Sequence, residues 1–191
     1  MKKLLTFILF ILLFSCNNED DFVKRTIILE DQLGKINLLL PKSCDSFNHK
    51  KGIIISDSLK GDLFDHSYYS YFAPSTNKYP KFNITFTHQP FDITNKNILF
   101  DSLTCTQFLI NNKTDPFLGY LIERKCLLIN NRQFATESIG KTTNSSESKL
   151  SLIANTYVDK RLLRINITVD AIDTSNIYSQ MLKILNSISI D

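Results

Sequence analysis

Residues 161–169 read Arg-Leu-Leu-Arg-Ile-Asn-Ile-Thr-Val. From Leu163 onward the apolar residues Leu163, Ile165, Ile167 and Val169 alternate with Arg164, Asn166 and Thr168. Successive side chains of a strand point to opposite faces, so this pattern predicts a strand with one buried and one wetted face. A second apolar run, Leu150–Tyr157, precedes it across Val158-Asp159-Lys160, and the pair predicts a hairpin. Lys81–His88 carries the same signature, with Phe82, Ile84 and Phe86 on one side and Asn83, Thr85 and Thr87 on the other. Working outward, Phe117–Ile129 and Gln133–Thr143 predict another hairpin, turning at Asn130-Asn131-Arg132. Thr26–Leu29 and Lys35–Leu40 predict a third across Asp31-Gln32-Leu33-Gly34, ending at Pro41. Gly52–Ser56 and the aromatic-rich His66–Phe72 read as further strands.

Two segments have helical spacing instead. Asn97–Ile110 places Leu99, Leu103 and Ile110 on one stripe beside Ile98, Cys105 and Leu109, and Asn111-Asn112 ends it. The last, about Ser175–Ile188, has an apolar face of Ile177, Met181, Ile184, Leu185 and Ile188, with Thr174 or Ser175 as N-cap. An amphipathic helix must bury its apolar face, and the sheet is the surface available. The expected class is therefore α+β: a single domain, a mostly antiparallel sheet flanked by helices.

The chain has 191 residues, 43% apolar and 21% charged, enough to bury a core without a metal or disulfide staple. Its glycines (Gly34, Gly52, Gly61, Gly119, Gly140) are isolated, so no phosphate-cradling loop can be built from them. The formal charge is +3, which becomes +1 once Lys2 and Lys3 are removed with the leader segment described next. That is not the footprint of a nucleic-acid binder.

Met1-Lys2-Lys3 is a basic start, and the apolar run Leu4–Phe14 is broken only by Thr6. A bilayer span takes roughly 20 apolar residues, so this run has the length of a secretory signal rather than of a membrane helix. Leu13-Phe14-Ser15-Cys16 resembles the lipobox of bacterial lipoproteins, although Phe14 is bulkier than that family's usual residue. The resemblance implies cleavage after residue 15, acylation of Cys16 and a membrane held through the lipid. Multiple acyl chains make such an anchor effectively permanent. Glu19-Asp20-Asp21 resembles the acidic export signal of Bacteroidetes lipoproteins, which implies the outer membrane and its outer face, with the periplasmic face as alternative. The expected layout is a leader over residues 1–15, a tether over 16–24 and a globular domain over 25–191. A tether of about eight residues reaches at most roughly 25 Å.

The opening hairpin into Leu38-Leu39-Leu40-Pro41 is one part of a second resemblance. A mid-chain helix followed by Leu127–Phe134, and Asp159–Ile165 leading into a terminal helix that ends Leu185-Asn186-Ser187-Ile188, are the others. Together these are similar in pattern to the PsbP-like fold, whose relatives include a photosystem subunit, a Ran-binding factor, the DcrB lipoproteins and chaperones of secretion effectors. The resemblance implies an α/β/α sandwich and a protein-binding, non-enzymatic role. It carries no signature motif and transfers no site residues.

With Cys16 lipidated, Cys44, Cys105 and Cys126 remain. Three buried thiols is the first reading and one disulfide with a free thiol the second, since the envelope is oxidising; the spacing does not choose among pairings. His49, His66 and His88 are scattered. Cys44, Asp45 and His49 lack the paired spacing of a metal site, so no metal or cofactor is expected. No Gly-x-Ser-x-Gly turn presents a nucleophile. Asp62, Asp65 and His66 fall in an expected loop, and Lys160, Arg161 and Arg164 read as solvated surface. Asp57-Ser58-Leu59 and Asp101-Ser102-Leu103 resemble a Bacteroidetes O-glycosylation acceptor, of which Ser58 is the credible one because Ser102 falls in a helix.

Tyr68-Tyr69-Ser70-Tyr71-Phe72 is the most distinctive run. Its first reading is a core strand with one half-exposed edge. Its second is a partner surface built from Tyr68, Tyr69, Tyr71 and Phe72, because tyrosine offers rigid amphipathic contact area. The expected function is an outer-membrane lipoprotein, not an enzyme, that binds another envelope or secreted protein as an accessory or immunity-type factor. The alternative is a small-ligand or glycan-binding surface lipoprotein.

Overall fold

The alternating runs become long neighbouring strands. The computed structural model describes residues 22–30, 33–55, 63–72, 81–89, 100–112, 119–144, 147–158, 161–171 and 175–191. Its strands are β1 (Phe22–Ile28), β2 (Lys35–Pro41), β3 (Ser46–Ile55), β4 (Leu63–Phe72), β5 (Lys81–Gln89), β6 (Tyr120–Ile129), β7 (Arg132–Asn144), β8 (Glu147–Val158), β9 (Arg161–Ala171) and β10 (Ser189–Ile190). Two helices, α1 (Ser102–Asn111) and α2 (Ser175–Asn186), complete the order. Seven strands form one antiparallel sheet in the order β3-β4-β5-β9-β8-β7-β6, and β1-β2-β10 form a second.

Register explains the core. Ile167 of β9 faces Ile84 of β5 and Leu152 of β8, and Ile165 faces Phe86 and Ala154. These residues are fully buried on one face of the large sheet. Ile27, Ile36, Leu38 and Leu40 of the small sheet cover them, together with Ile177, Met181, Ile184, Leu185 and Ile188 in and just after α2. The apolar face read for the terminal helix is thus its buried face. Each such side chain contributes roughly 1.5–3 kcal/mol on burial. The small sheet closes through Gly34, which has φ +96 and whose missing Cβ leaves room for the carbonyl of Asp191.

The expected α+β sandwich flanked by helices is corrected here. Among the described residues the protein is mostly antiparallel β in two sheets, with helices of only 10 and 12 residues. The physical reason lies in what covers the main sheet. Its apolar face is closed largely by β1, β2 and β10, and α2 fills the remainder of that layer. Among the described residues the opposite face carries one helix, α1, over β6 and β7. The α/β/α arrangement implied by the PsbP-like resemblance falls with this correction.

One boundary also moves, and one expected turn shows its geometry. β1 begins at Phe22, three residues ahead of the expected domain start, with Phe22 opposite Pro41 and its ring under the Lys183 ammonium at 4.4 Å. The β6–β7 hairpin turns on Asn130 and Asn131, both at positive φ (47 and 63). Those are the angles of a two-residue turn whose twist matches the flanking strands, and asparagine tolerates them.

Truncating Ile165 to alanine should cost about 3–4 kcal/mol in urea unfolding, because the site lies in the closed layer and cannot collapse. Leu103→Ser, on the exposed side of α1, should change stability by less than about 0.5 kcal/mol.

Candidate functional site

The outer face of the large sheet is where the structure departs most from its sequence reading. Asp101 caps α1, its carboxylate accepting the Thr104 N–H at 2.8 Å, and that bonding holds the carboxyl below the usual range. Asn112 ends the helix, its N–H and side-chain amide both donating to the Phe108 carbonyl. Arg124 of β6 ties this end to the sheet by donating to the Asn112 carbonyl and to Glu137. Between the two ends, Cys105 forms a disulfide with Cys126 of β6, with Cα atoms 6.2 Å apart. Three buried thiols, the first reading, is therefore corrected: Cys105 and Cys126 are paired, and among the described residues Cys44 is free and buried.

The staple selects which side of α1 meets the sheet. Cys105 packs with Phe100 and Ala135, and Phe108, Leu109, Cys126 and Tyr157 complete a small cluster separate from the main core. A helix turns 100° per residue, so residues 103 and 110 lie on the side away from 105. Leu103 and Ile110, expected to be buried, are each 67% exposed. Leu99 and Ile98, the rest of that expected stripe, lie outside the described residues. Ser102 opens the helix and is exposed; Ser58 lies outside the described residues.

The apolar exposure continues on β6, an edge strand, through Tyr120, Leu121, Ile122 and Leu128. Its charges are folded onto its own neighbours. Lys125 bridges Glu123 at 2.8 Å, the Tyr178 hydroxyl donates to Glu123 at 3.0 Å, and Arg124 bridges Glu137. The Lys125 and Tyr178 hydrogen bonds hold Glu123 below the usual carboxylate range. Edge strands are commonly guarded by outward charge. The opposite edge, β3, has it in exposed Lys50 and Lys51, with His49 and Lys51 on Glu30 at 3.3 and 3.4 Å. β6 keeps its charges, Glu123, Arg124 and Lys125, in its middle, with exposed apolar side chains on either side of them.

The aromatic run lies in β4, and two of its tyrosines belong to the core. Tyr69 is 2% and Tyr71 7% exposed, both in the core. Glu30 N–H donates to the Tyr69 hydroxyl at 2.9 Å, His49 stacks on Tyr69 at 4.5 Å, and Phe47 packs on Tyr71 at 4.9 Å. Tyr68 is half-buried, and the side chain of Phe72 lies outside the described residues. Tyr69 and Tyr71 thus offer no partner surface. Cys16, Glu19, Asp20 and Asp21 lie outside the described residues, as do Asp62, Lys160 and the side chains of Asp65, His66 and His88. Arg164 donates to Asn155 on the wetted face at 2.9 Å. Among the described residues no three His, Cys, Asp or Glu side chains converge.

A cleft of about 980 Å³ opens where the β6–β7 turn meets β10 and the start of α1. Its walls include Phe100, Leu128, Arg132, Tyr157, Ile188 and Ile190. Arg132 donates to the Tyr157 carbonyl at 2.7 Å, and burial pulls its pKa down. Sequence reading missed this cleft because its walls come from four separated segments. The one local signal, Asn130-Asn131, marked a turn only.

The chain matches no family model, and no curated protein matches it.

The disulfide joins positions 21 apart. Replacing Cys105 and Cys126 together by serine should cost about 3 kcal/mol, from the loop freed in the unfolded chain. Burial, with Asp45 alongside, pushes the Cys44 thiol up to about 11. An unfolded thiol titrates near ~8.5. The folded thiol therefore favours its proton, and this contribution is full below the unfolded value and lost as pH rises through about 11. At pH 8 iodoacetamide should label Cys44 only after unfolding; rapid labelling of the native protein would contradict this placement.

Proposed function

We propose that this is a lipid-anchored envelope protein, not an enzyme, that docks another envelope or secreted protein against α1 and the β6 edge. The observation that carries the reading is the apolar side of a disulfide-held helix turned to solvent. Leu103 and Ile110 lie there, and Tyr120, Leu121, Ile122 and Leu128 stand exposed on the neighbouring edge strand. Scattered exposed apolar residues need no explanation, but a group on one helix and its adjoining strand favours a protein interface. Tyrosine among aliphatic residues, with the nearby charges already paired, is the composition of an interface centre.

Export has independent support. A disulfide persists in oxidising compartments and is rare in the cytosol. The Cys105–Cys126 pair therefore agrees with the signal-like start and with Cys16 as an acylated residue. With β1 beginning at Phe22, five residues, Asn17–Asp21, separate the anchor from the first strand. That spacing would hold the domain within about 20 Å of the bilayer. The resemblance of Glu19-Asp20-Asp21 to a lipoprotein export signal supports outer-membrane placement. The titratable groups near the docking face are committed to structure, Glu123 to Lys125 and Tyr178, Arg124 to Glu137, which supports a binding role over catalysis. The open cleft beside the β6–β7 turn keeps a small-ligand or glycan-binding role as the second reading.

A photo-crosslinking residue at Ile110, in cells expressing the protein at native level, should give one adduct with a discrete protein in the outer-membrane fraction. The same residue at Lys149, on β8, should give none. Equal adducts at both positions, or none at Ile110, would remove the assignment. Palmitate labelling should be lost in Cys16→Ala, with the protein released from membranes; retained label would overturn the anchor.

A further inference from the structure

A second surface carries an inference that goes beyond the α1 face and does not depend on it. β10 is the outer strand of the small sheet, and its register fixes where its backbone points. Lys35 and Asp191 exchange both backbone hydrogen bonds, each at 2.9 Å. In an antiparallel ladder such pairs alternate with pairs that exchange none. Ile190, opposite Ile36, therefore turns its N–H and C=O away from β2 toward the open side of the strand. The preceding outward pair, on Ile188, is already used: its N–H donates to the Leu185 carbonyl and its C=O accepts the Asn130 amide at 2.7 Å.

Ile190 lines the cleft. Leu128 also lines it, 69% exposed, and so does Arg132, half-buried. Among the described residues the Arg132 charge is answered by one carbonyl, that of Tyr157, and by no carboxylate within ion-pair distance. The two side-chain carboxylates on the rim are hydrogen-bonded elsewhere, Asp101 with the Thr104 N–H and Asp191 with the Asn37 amide at 2.9 Å. A half-buried guanidinium so placed favours an incoming acid, because charge-assisted pairs to carboxylates are the strong ones.

We propose that the cleft receives an extended peptide segment of a partner protein, which adds to β10 as a further strand, sets an apolar side chain against Leu128 and brings an acidic side chain to Arg132. Strand addition takes affinity from main-chain bonds and specificity from pockets for alternate side chains. Ile190 supplies the main-chain pair; Leu128 and Arg132 supply the selection. The aromatic walls do not favour a sugar, because Phe100 is buried and meets Tyr157 edge-on, ring centroids 5.0 Å apart.

The test uses the full acylated protein in detergent and a displayed library of random twelve-residue peptides. Selected peptides should alternate apolar residues with an Asp or Glu, and should shift the Ile190 amide resonance on titration. Arg132→Gln should weaken them about tenfold or more, in line with loss of a hydrogen-bonded charge, and Arg132→Lys should weaken them less. N-methylating the peptide amide that meets Ile190 should abolish binding, a readout that needs no protein variant. Binders without an acid that bind Arg132→Gln as well as wild type would overturn the proposal. So would binders that shift α1 or β6 and leave Ile190 unmoved, or the absence of any binder. An Ile110 adduct that persists beside any of these negative results would leave the α1 docking face standing and remove the cleft alone.

Discussion

A seven-stranded sheet with one continuous apolar face cannot stand in water, and covering that face dictates most of this structure. Ile84, Phe86, Leu152, Leu163, Ile165 and Ile167 form the face, and no single element is wide enough to close it. The small sheet and α2 share the task from the two ends of the chain. β10 then sews them together: Ser189 and Ile190 pair with β2, and the Ser187 hydroxyl receives the Leu39 N–H at 2.8 Å. The first and last described segments are thereby locked into one layer. With that side closed, what remains for function is the outer face, the sheet edges and the cleft at the end of the hairpin.

On the outer face a covalent bond does what burial does on the inner one. The cluster under α1 is small: Phe100, Cys105 and Ala135, with Phe108, Leu109, Cys126 and Tyr157 packed against them. The Cys105–Cys126 bond holds the 105 side toward the sheet, and Leu103 and Ile110 face outward. A helix held by a disulfide can display apolar residues without collapsing onto the sheet. That is a sound construction for a docking surface, since the groups are pre-organised before a partner arrives.

Much of the β architecture was legible in the sequence because period-two alternation is a local signal. The strands at 161–169, 150–157 and 81–88 were read where they occur, as was the hairpin at Asn130-Asn131. The layer arrangement was not legible, because it depends on which element covers which face. Leu103 and Ile110 obey the spacing rule and still face solvent. Periodicity identifies a face but not what it meets, and the disulfide overrode it. The tyrosines at 69 and 71 were read both as core and as surface, since an aromatic strand looks the same in either role. The anchor proposed at Cys16 rests wholly on local pattern, whereas the cleft at Arg132 comes from segments that only the fold unites.

If the apolar side of α1 serves a partner and not the fold, one variant, Leu103→Asp with Ile110→Asp, separates the two roles when its thermal stability and in-cell partner capture are measured together. It should melt close to wild type and lose the captured protein. A variant that melts far lower, as a core substitution does, or one that keeps its partner in full, would contradict the partner role.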